Sequence, residues 1–214
     1  ILRDFETCLE FIGNKGGIPA NGKYNLFAIS LLPELNEKMT HPMKIDMARP
    51  MQKSYPNING LYLLLRTTGL IFVKQTGKKQ LFVLDEQLLD SWKALNQTER
   101  YISLLRAWWW HGNEDTIGEN KGRGYFDLLY RCMNFFMKIP PKGIKIIDQL
   151  SEEESLRYYP GLYNLALMEL FGIVKVSSAP PSPGQGWKIE QIKITEWGNA
   201  LIGSLFESAR NCRD

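Results

Sequence analysis

The sequence predicts a mainly helical α+β protein in which two related units, each with a small β-hairpin, are joined by helices. Apolar residues recur at helical spacing along much of the 214-residue chain. Two short β-branched and aromatic runs surround a glycine turn within residues 70–84, and a looser copy of this arrangement follows within residues 162–206. The composition, 44% hydrophobic and 23% charged, is that of a folded protein.

The first unit begins with two predicted helices. Residues 1–12 carry apolar side chains at helical spacing, and a glycine-rich segment ends that helix. A second helix is predicted over residues 31–39, where Ser30 is the expected N-cap and Pro33 suits a first turn that has no N–H bond to lose. Residues 49–56 contain two prolines and are expected to be extended or irregular.

The third predicted helix is the most apolar one and leads directly into the hairpin. It covers residues 57–68 (NINGLYLLLRTT), and Gly69 ends it as a left-handed C-terminal cap requires. The runs 70–73 and 81–84 then flank the turn at 76–79, which predicts two antiparallel strands. Three helices followed by a basic hairpin is the element order of a winged helix-turn-helix, in which the hairpin is the wing.

Two further helices are predicted after the hairpin. Asp85 is the expected cap of a helix over residues 86–95, and Asn96 opens a capping box for a helix that runs to Trp110. The following stretch is rich in glycine and has no apolar periodicity, so it predicts a linker. We therefore expect an N-terminal winged-helix domain with C-terminal helices at 1–111, a linker loop at 112–124 and a C-terminal winged-helix-like domain at 125–214.

The end of the chain repeats the organisation of the first hairpin. Segment 64–73 aligns with segment 167–176, and both consist of a helix end, a glycine and a strand. The capping residue of the next helix lies 16 positions after the glycine in the first copy (69 to 85) and 23 positions after it in the second (172 to 195). The extra seven residues fall in a loop rich in Pro, Gly and Ser at 177–186, where an exposed wing tip tolerates insertion.

One region resembles a known family. The stretch MKIDMARPMQKSYPNINGLYLLLRTTGL, the basic hairpin after it and the stretch LFVLDEQLLDSWKALNQTERYISLLRAWW look like the tandem winged-helix region of uncharacterised microbial proteins. In that family the region often lies beside a Ri-plasmid ORF-three-like domain. The resemblance covers residues 5–110 and implies a winged-helix module of bacteria or archaea. It carries over no catalytic residue.

The positive charge is unevenly distributed. The formal net charge of the chain is +3, but residues 151–214 hold six basic and eight acidic residues, a net of −2, which leaves +5 for the rest. Residues 47–84 contain six basic residues and no acidic one. The basic excess therefore coincides with the predicted third helix and wing of the first unit.

This distribution favours binding of double-stranded DNA, in a regulatory role, through the first wing and third helix. Lysine and arginine would neutralise phosphates, and asparagine side chains at the start of the helix would reach base edges. The candidate nucleic-acid-binding residues are Arg49, Lys53, Asn57, Asn59, Arg66, Lys74, Lys78 and Lys79, with Gln52 as a further base contact. Against this interpretation, Arg66 is the only charged residue of the predicted helix, whose polar face is narrow.

The alternative is a protein–protein interaction or dimerisation module. Trp108, Trp109 and Trp110 are consecutive, and three consecutive positions of a helix span about 300° of arc, so all three cannot face one core. They are the candidate protein-interface residues. Either the two units meet there, which is the favoured interpretation, or an external partner or second copy covers them.

No motif indicates an enzyme. His41 and His111 have no Cys, His or carboxylate set near them in sequence, and the three cysteines have neither disulfide nor zinc spacing. The segment 75–79 (QTGKK) resembles the end of a phosphate loop but has Phe72 where glycine is required. We therefore expect no catalytic residue, cofactor, metal or small-molecule substrate. No apolar run reaches membrane-spanning length and no signal peptide is evident, so we expect no membrane association and a cytoplasmic location.

Overall fold

The computed structural model describes residues 1–111, 124–140, 143–146 and 154–211, and it confirms the mixed α and β class. The helices are α1 (Leu2–Asn14), α2 (Leu32–Glu37), α3 (Pro56–Thr67), α4 (Glu86–Ala94), α5 (Gln97–Arg106), α6 (Gly124–Lys138), α7 (Leu162–Leu170) and α8 (Glu196–Asn211). The strands are β1 (Ile18–Asn21), β2 (Leu26–Phe27), β3 (Ile71–Thr76), β4 (Lys79–Leu84), β5 (Ile144–Ile146), β6 (Val174–Ala179) and β7 (Lys188–Ile194). Most of the predicted linker, 112–123, lies outside the described residues.

The first hairpin has the predicted form. Strands β3 and β4 pair antiparallel in unbroken register from Ile71 opposite Leu84 to Thr76 opposite Lys79. The strands are longer than the apolar runs alone indicate, because the polar residues around Gly77 continue the pairing up to a two-residue turn.

The first sheet contains two strands, β1 and β2, that the sequence pattern did not predict. Its order is β2-β1-β4-β3, with β1 pairing antiparallel to β4 so that Ile18 lies opposite Phe82. Strand β1 directly follows the glycine-rich segment after α1, and Pro19 within it obscures the pattern. The unit therefore has the order α1, β1, β2, α2, α3, β3, β4.

The three strands of the second sheet are arranged like β1, β4 and β3 of the first sheet. Its order is β5-β7-β6, so the strand after the long helix α6 pairs with the last strand of the unit, as β1 pairs with β4. The hairpin β6–β7 runs from Val174 opposite Ile194 to Ala179 opposite Lys188, with an irregularity between Ser177 and Ser178. The sequence of a serine and three glutamates at 151–154 predicts a helix start, and its first three residues lie outside the described residues.

The repeat extends to individual hydrogen bonds. Gly69 follows the end of α3, and Gly172 follows the end of α7. Both have φ +74°, the left-handed conformation that glycine tolerates best. The backbone N–H of Asp85 donates to Leu70 O at 3.0 Å, and that of Thr195 donates to Ile173 O at 3.0 Å. Each hairpin is thus closed by one bond between the cap of the next helix and the residue before the first strand.

Helix caps explain several element boundaries. Asp85 accepts a hydrogen bond from Leu88 N at the start of α4, and Asn96 and Glu99 form a reciprocal capping box at the start of α5, as predicted. The prediction for Ser30 is wrong: it lies in a short 3₁₀ turn, and α2 begins after Leu31 without a side-chain cap.

The third helices of the two units pack against each other across one continuous hydrophobic core. Gly60 lies at this contact, where an added Cβ would be 2.7 Å from Leu167 Cγ. A glycine inside an apolar helix is destabilising on its own, so its place here is explained by the close approach of α7. None of the helices in the described ranges combines the length and apolar character needed to cross a membrane.

Candidate nucleic-acid interface

The hairpin β3–β4 presents a basic surface. Side chains of Phe72, Lys74 and Lys79 share one face of the hairpin because Phe72 pairs with Val83, Lys74 with Leu81 and Lys79 with Thr76. Lys74, Lys78 and Lys79 are all exposed, and none of them forms an ion pair within the described residues. We call these three the wing lysines. Phe72 beside them is 44% exposed, which is unusual for a phenylalanine on a strand.

Arg66 lies at the root of the hairpin and is partly engaged by the fold. Its Nη1 donates to the Tyr62 hydroxyl at 2.8 Å, and its guanidinium lies 5.7 Å from the ring centroid of Phe82. The Tyr62 hydroxyl in turn donates to the backbone oxygen of Asn25 after the β1 strand. Arg66 therefore connects α3 with the sheet, and only its remaining N–H groups are available to a ligand.

The amides predicted to read bases are buried. Asn57 and Asn59 are 4% and 5% exposed, and Gln52 is equally inaccessible. Gln52 Oε1 accepts from Phe27 N at 2.8 Å, and Gln52 Nε2 donates to Asn59 Oδ1 at 3.0 Å. The prediction that these side chains reach base edges is therefore wrong, because all three are buried and Gln52 is bonded to Asn59 inside the fold.

The third helix itself is unavailable to a groove of DNA. Every residue from Pro56 to Leu65 is buried, since α7 of the second unit covers the face of α3 that the first unit leaves open. Arg49 and Lys53, from the segment before α3, remain exposed. Of the eight candidate residues, the structure thus leaves five exposed: Arg49, Lys53 and the three wing lysines.

The tryptophans lie where the two units meet. Trp108 and Trp109 are buried, and Trp110 is half-buried, in a π-helical turn (Ala107–His111) that continues α5. Trp108 Nε1 donates to Asn164 Oδ1 at 3.0 Å, and its ring stacks on Phe171 at 5.4 Å between centroids. For Trp108 these contacts agree with the favoured interpretation that the other unit covers the tryptophans, which stays a prediction. Its indole is not available to an external partner.

Two cysteines lie buried among the described residues. Burial raises the pKa of the Cys8 and Cys132 thiols, so neither is a ready thiolate nucleophile. Within the described ranges no three His, Cys, Asp or Glu side chains lie close enough together to hold a metal ion. The exposed lysines of the hairpin β3–β4 are therefore the candidate contacts for an anionic ligand.

No family model, curated protein or solved structure matches this chain. The resemblance of residues 5–110 to microbial winged-helix proteins therefore stays a prediction. The function has to be argued from the geometry of the chain itself.

Proposed function

We propose that both units are winged helices and that the chain is a non-enzymatic, regulatory protein that binds double-stranded DNA through its first wing. The element order of the first unit supports the fold assignment, because a strand between the first two helices pairs with the second strand of the hairpin. The same pairing of β5 with β7 in the second unit supports it independently. The part of the second unit that follows β5, residues 147–153, is outside the described residues.

The observation that carries the DNA proposal is the set of exposed wing lysines, which have no ion-pair partner among the described residues. A protruding hairpin can follow a groove or lie along the phosphate backbone, where each lysine releases a bound counterion from the DNA. Because α3 is buried against α7, base-specific reading by that helix is not part of the proposal. Affinity then comes from phosphate contacts and depends strongly on salt.

The test compares charge reversal on the two hairpins. Lys78→Glu with Lys79→Glu should abolish retention of a labelled DNA duplex at low salt, measured by fluorescence anisotropy. The matched control is Lys175→Glu with Lys193→Glu, an equal charge change on exposed and directly paired lysines of the second hairpin. This control should retain DNA. Absence of binding by the wild type at low salt, or equal loss in both variants, would reject the first wing as the DNA contact.

A protein-interaction or dimerisation role is the second candidate, and the exposed face of α6 favours it. Tyr130, Met133 and Met137 lie at i, i+3 and i+7 on one face, and all three are exposed among the described residues. Light scattering after gel filtration at low and high protein concentration tests this role. Dimer formation that Met137→Lys prevents would support it, whereas a constant monomer mass would exclude self-association through this face.

A further inference from the structure

A cleft of about 630 Å³ lies at the junction of the two units. One side is formed by residues of the first unit, namely Met47, Lys53, Ser54, Pro56 and Asn59. The other is formed by Arg131 of α6, residues between Glu154 and Tyr163, and the loop 184–187. The backbone N–H of Asp46 donates to Gln185 O at 2.9 Å, which joins the two sides at the rim. The volume is in the range of cavities that enclose small ligands.

The charged side chains that line this junction cleft are mostly cations. Lys53, Arg131 and Arg157 come from three separate segments of the chain, and Glu154 is the single acidic residue among the described lining residues. Arg157 is exposed and forms no ion pair with a described residue. An anion bound in the cleft would be attracted to this charge of Arg157.

A buried amide adds a directed hydrogen-bond donor. The backbone N–H of Phe27 is a donor, so Gln52 must turn its oxygen toward it and its nitrogen toward Asn59. Asn59 therefore uses its oxygen to accept this bond, which leaves Nδ2 as the atom that has no hydrogen bond within the described residues. Asn59 is 5% exposed and lines the cleft, so an unpartnered donor is held at its wall.

We propose that the junction cleft binds a small organic phosphate. Arginine and lysine side chains are the usual partners of phosphate oxygens, and the planar guanidinium of the exposed Arg157 can donate to two oxygens of one phosphate. Asn59 Nδ2 would donate to the same ligand, while Met47, Pro56 and Leu162 provide apolar walls for an uncharged body of about nucleoside size. Because the ligand would contact both units, binding should stabilise their packing.

The proposal is tested on the full 214-residue chain by isothermal titration calorimetry and thermal unfolding. The probes are the four ribonucleoside 5′-monophosphates, glucose 6-phosphate and inorganic phosphate. At least one organic phosphate should bind saturably, raise the melting temperature and bind more tightly than inorganic phosphate. Arg157→Gln should weaken that binding at least tenfold, about the effect of removing one charged hydrogen bond.

Controls separate the junction cleft from the wing. Arg157 and Lys53 are exposed, so Arg157→Gln and Lys53→Gln should fold normally, and Arg49→Gln outside the cleft lining should bind like the wild type. The wing variant Lys78→Glu with Lys79→Glu should also bind the organic phosphate normally, whatever its effect on DNA. The proposal is overturned if no organic phosphate binds, if inorganic phosphate binds equally well, or if Arg157→Gln and Lys53→Gln leave the affinity unchanged.

Discussion

The two units share their backbone architecture and differ in the chemistry placed on it. In both, a glycine with φ +74° leads from the third helix into the hairpin, and one backbone bond closes the hairpin behind it. Yet Arg66 of α3 aligns with Glu169 of α7, so equivalent positions carry opposite charges. Arg66 lies over Phe82, whereas Glu169 Oε1 accepts from Val176 N at 3.1 Å. The two units therefore share the backbone turn but present surfaces of different charge beside it.

A second difference lies at the third residue after the capping residue. Leu88 is 41% exposed beside Gly69, whereas its equivalent Gly198 is buried against the turn that starts the second hairpin. The N–H groups of both residues donate to the preceding cap, Asp85 or Thr195. The second unit is therefore packed more tightly at this point, although the capping arrangement is the same.

The largest expected effect comes from the contact that joins the two units. Trp108→Ala should lower the free energy of unfolding by about 4 kcal/mol, because it removes a buried indole, its stacking on Phe171 and its bond to Asn164. Urea denaturation followed by circular dichroism measures the loss. Trp197→Ala is the matched control and should cost about 1 kcal/mol, since Trp197 is 47% exposed and makes one hydrogen bond, to Tyr101. Equal losses would contradict an interface centred on Trp108.

The next effect tests the difference in packing between the units. Gly198→Ala should destabilise the protein by about 3 kcal/mol, because the added Cβ would lie 2.0 Å from Ile173 O and the backbone would have to move. At the equivalent position, Leu88→Ala should cost below about 1 kcal/mol, since much of the side chain is already exposed. Urea denaturation of both variants gives the comparison. A harmless Gly198→Ala would mean that α8 does not approach the turn so closely.

Local patterns in the sequence were sufficient to predict the hairpin, the glycine caps and the caps at Asp85 and Asn96. Each of these depends on a few neighbouring residues, such as a glycine that must adopt positive φ or a side chain that accepts from a nearby N–H. Strand β1 was missed because it has only four residues, including Pro19.

The candidate site was predicted less well because its accessibility depends on the other unit. Asn57 and Asn59 look like exposed polar residues of a DNA-reading helix, but α7 covers that helix and Gln52 engages Asn59. Gly60 was the available signal, because a glycine inside a leucine-rich helix indicates close approach of another backbone or side chain. The junction cleft had no sequence signal, since Lys53, Arg131 and Arg157 are far apart in the chain.

A smaller effect is expected from the shared capping arrangement. Asp85→Ala should cost about 1 kcal/mol, the usual loss of an N-cap side chain, because Leu88 N loses its acceptor. Thr195→Ala should cost about 2 kcal/mol, since its hydroxyl accepts from Gly198 N and also donates to Gly172 O. Thermal unfolding by calorimetry measures both. A larger loss for Asp85→Ala would reverse the order of the two caps.

The smallest expected effect concerns the charge difference between Arg66 and Glu169. Burial raises the pKa of the Glu169 carboxyl, while its bond from Val176 N and the charge of His41 partly oppose the shift. The folded state therefore holds the proton more tightly than the unfolded state, so this contribution to stability is present at low pH and is lost as pH rises through the folded pKa.

Glu169→Gln removes the titration and keeps an oxygen that can accept from Val176 N. The variant should match the wild type near about pH 4 and become progressively more stable than it toward about pH 7, because the raised pKa makes ionisation of Glu169 less favourable in the folded state than in the unfolded state. The free energy of urea unfolding at each pH gives the difference. Arg66→Gln is the control, and its difference from the wild type should stay constant because a guanidinium does not titrate in this range. The prediction fails if the difference in unfolding free energy between Glu169→Gln and the wild type does not change with pH. Burial would then not raise the pKa of the Glu169 carboxyl, and positions 66 and 169 would differ only in the sign of their charge.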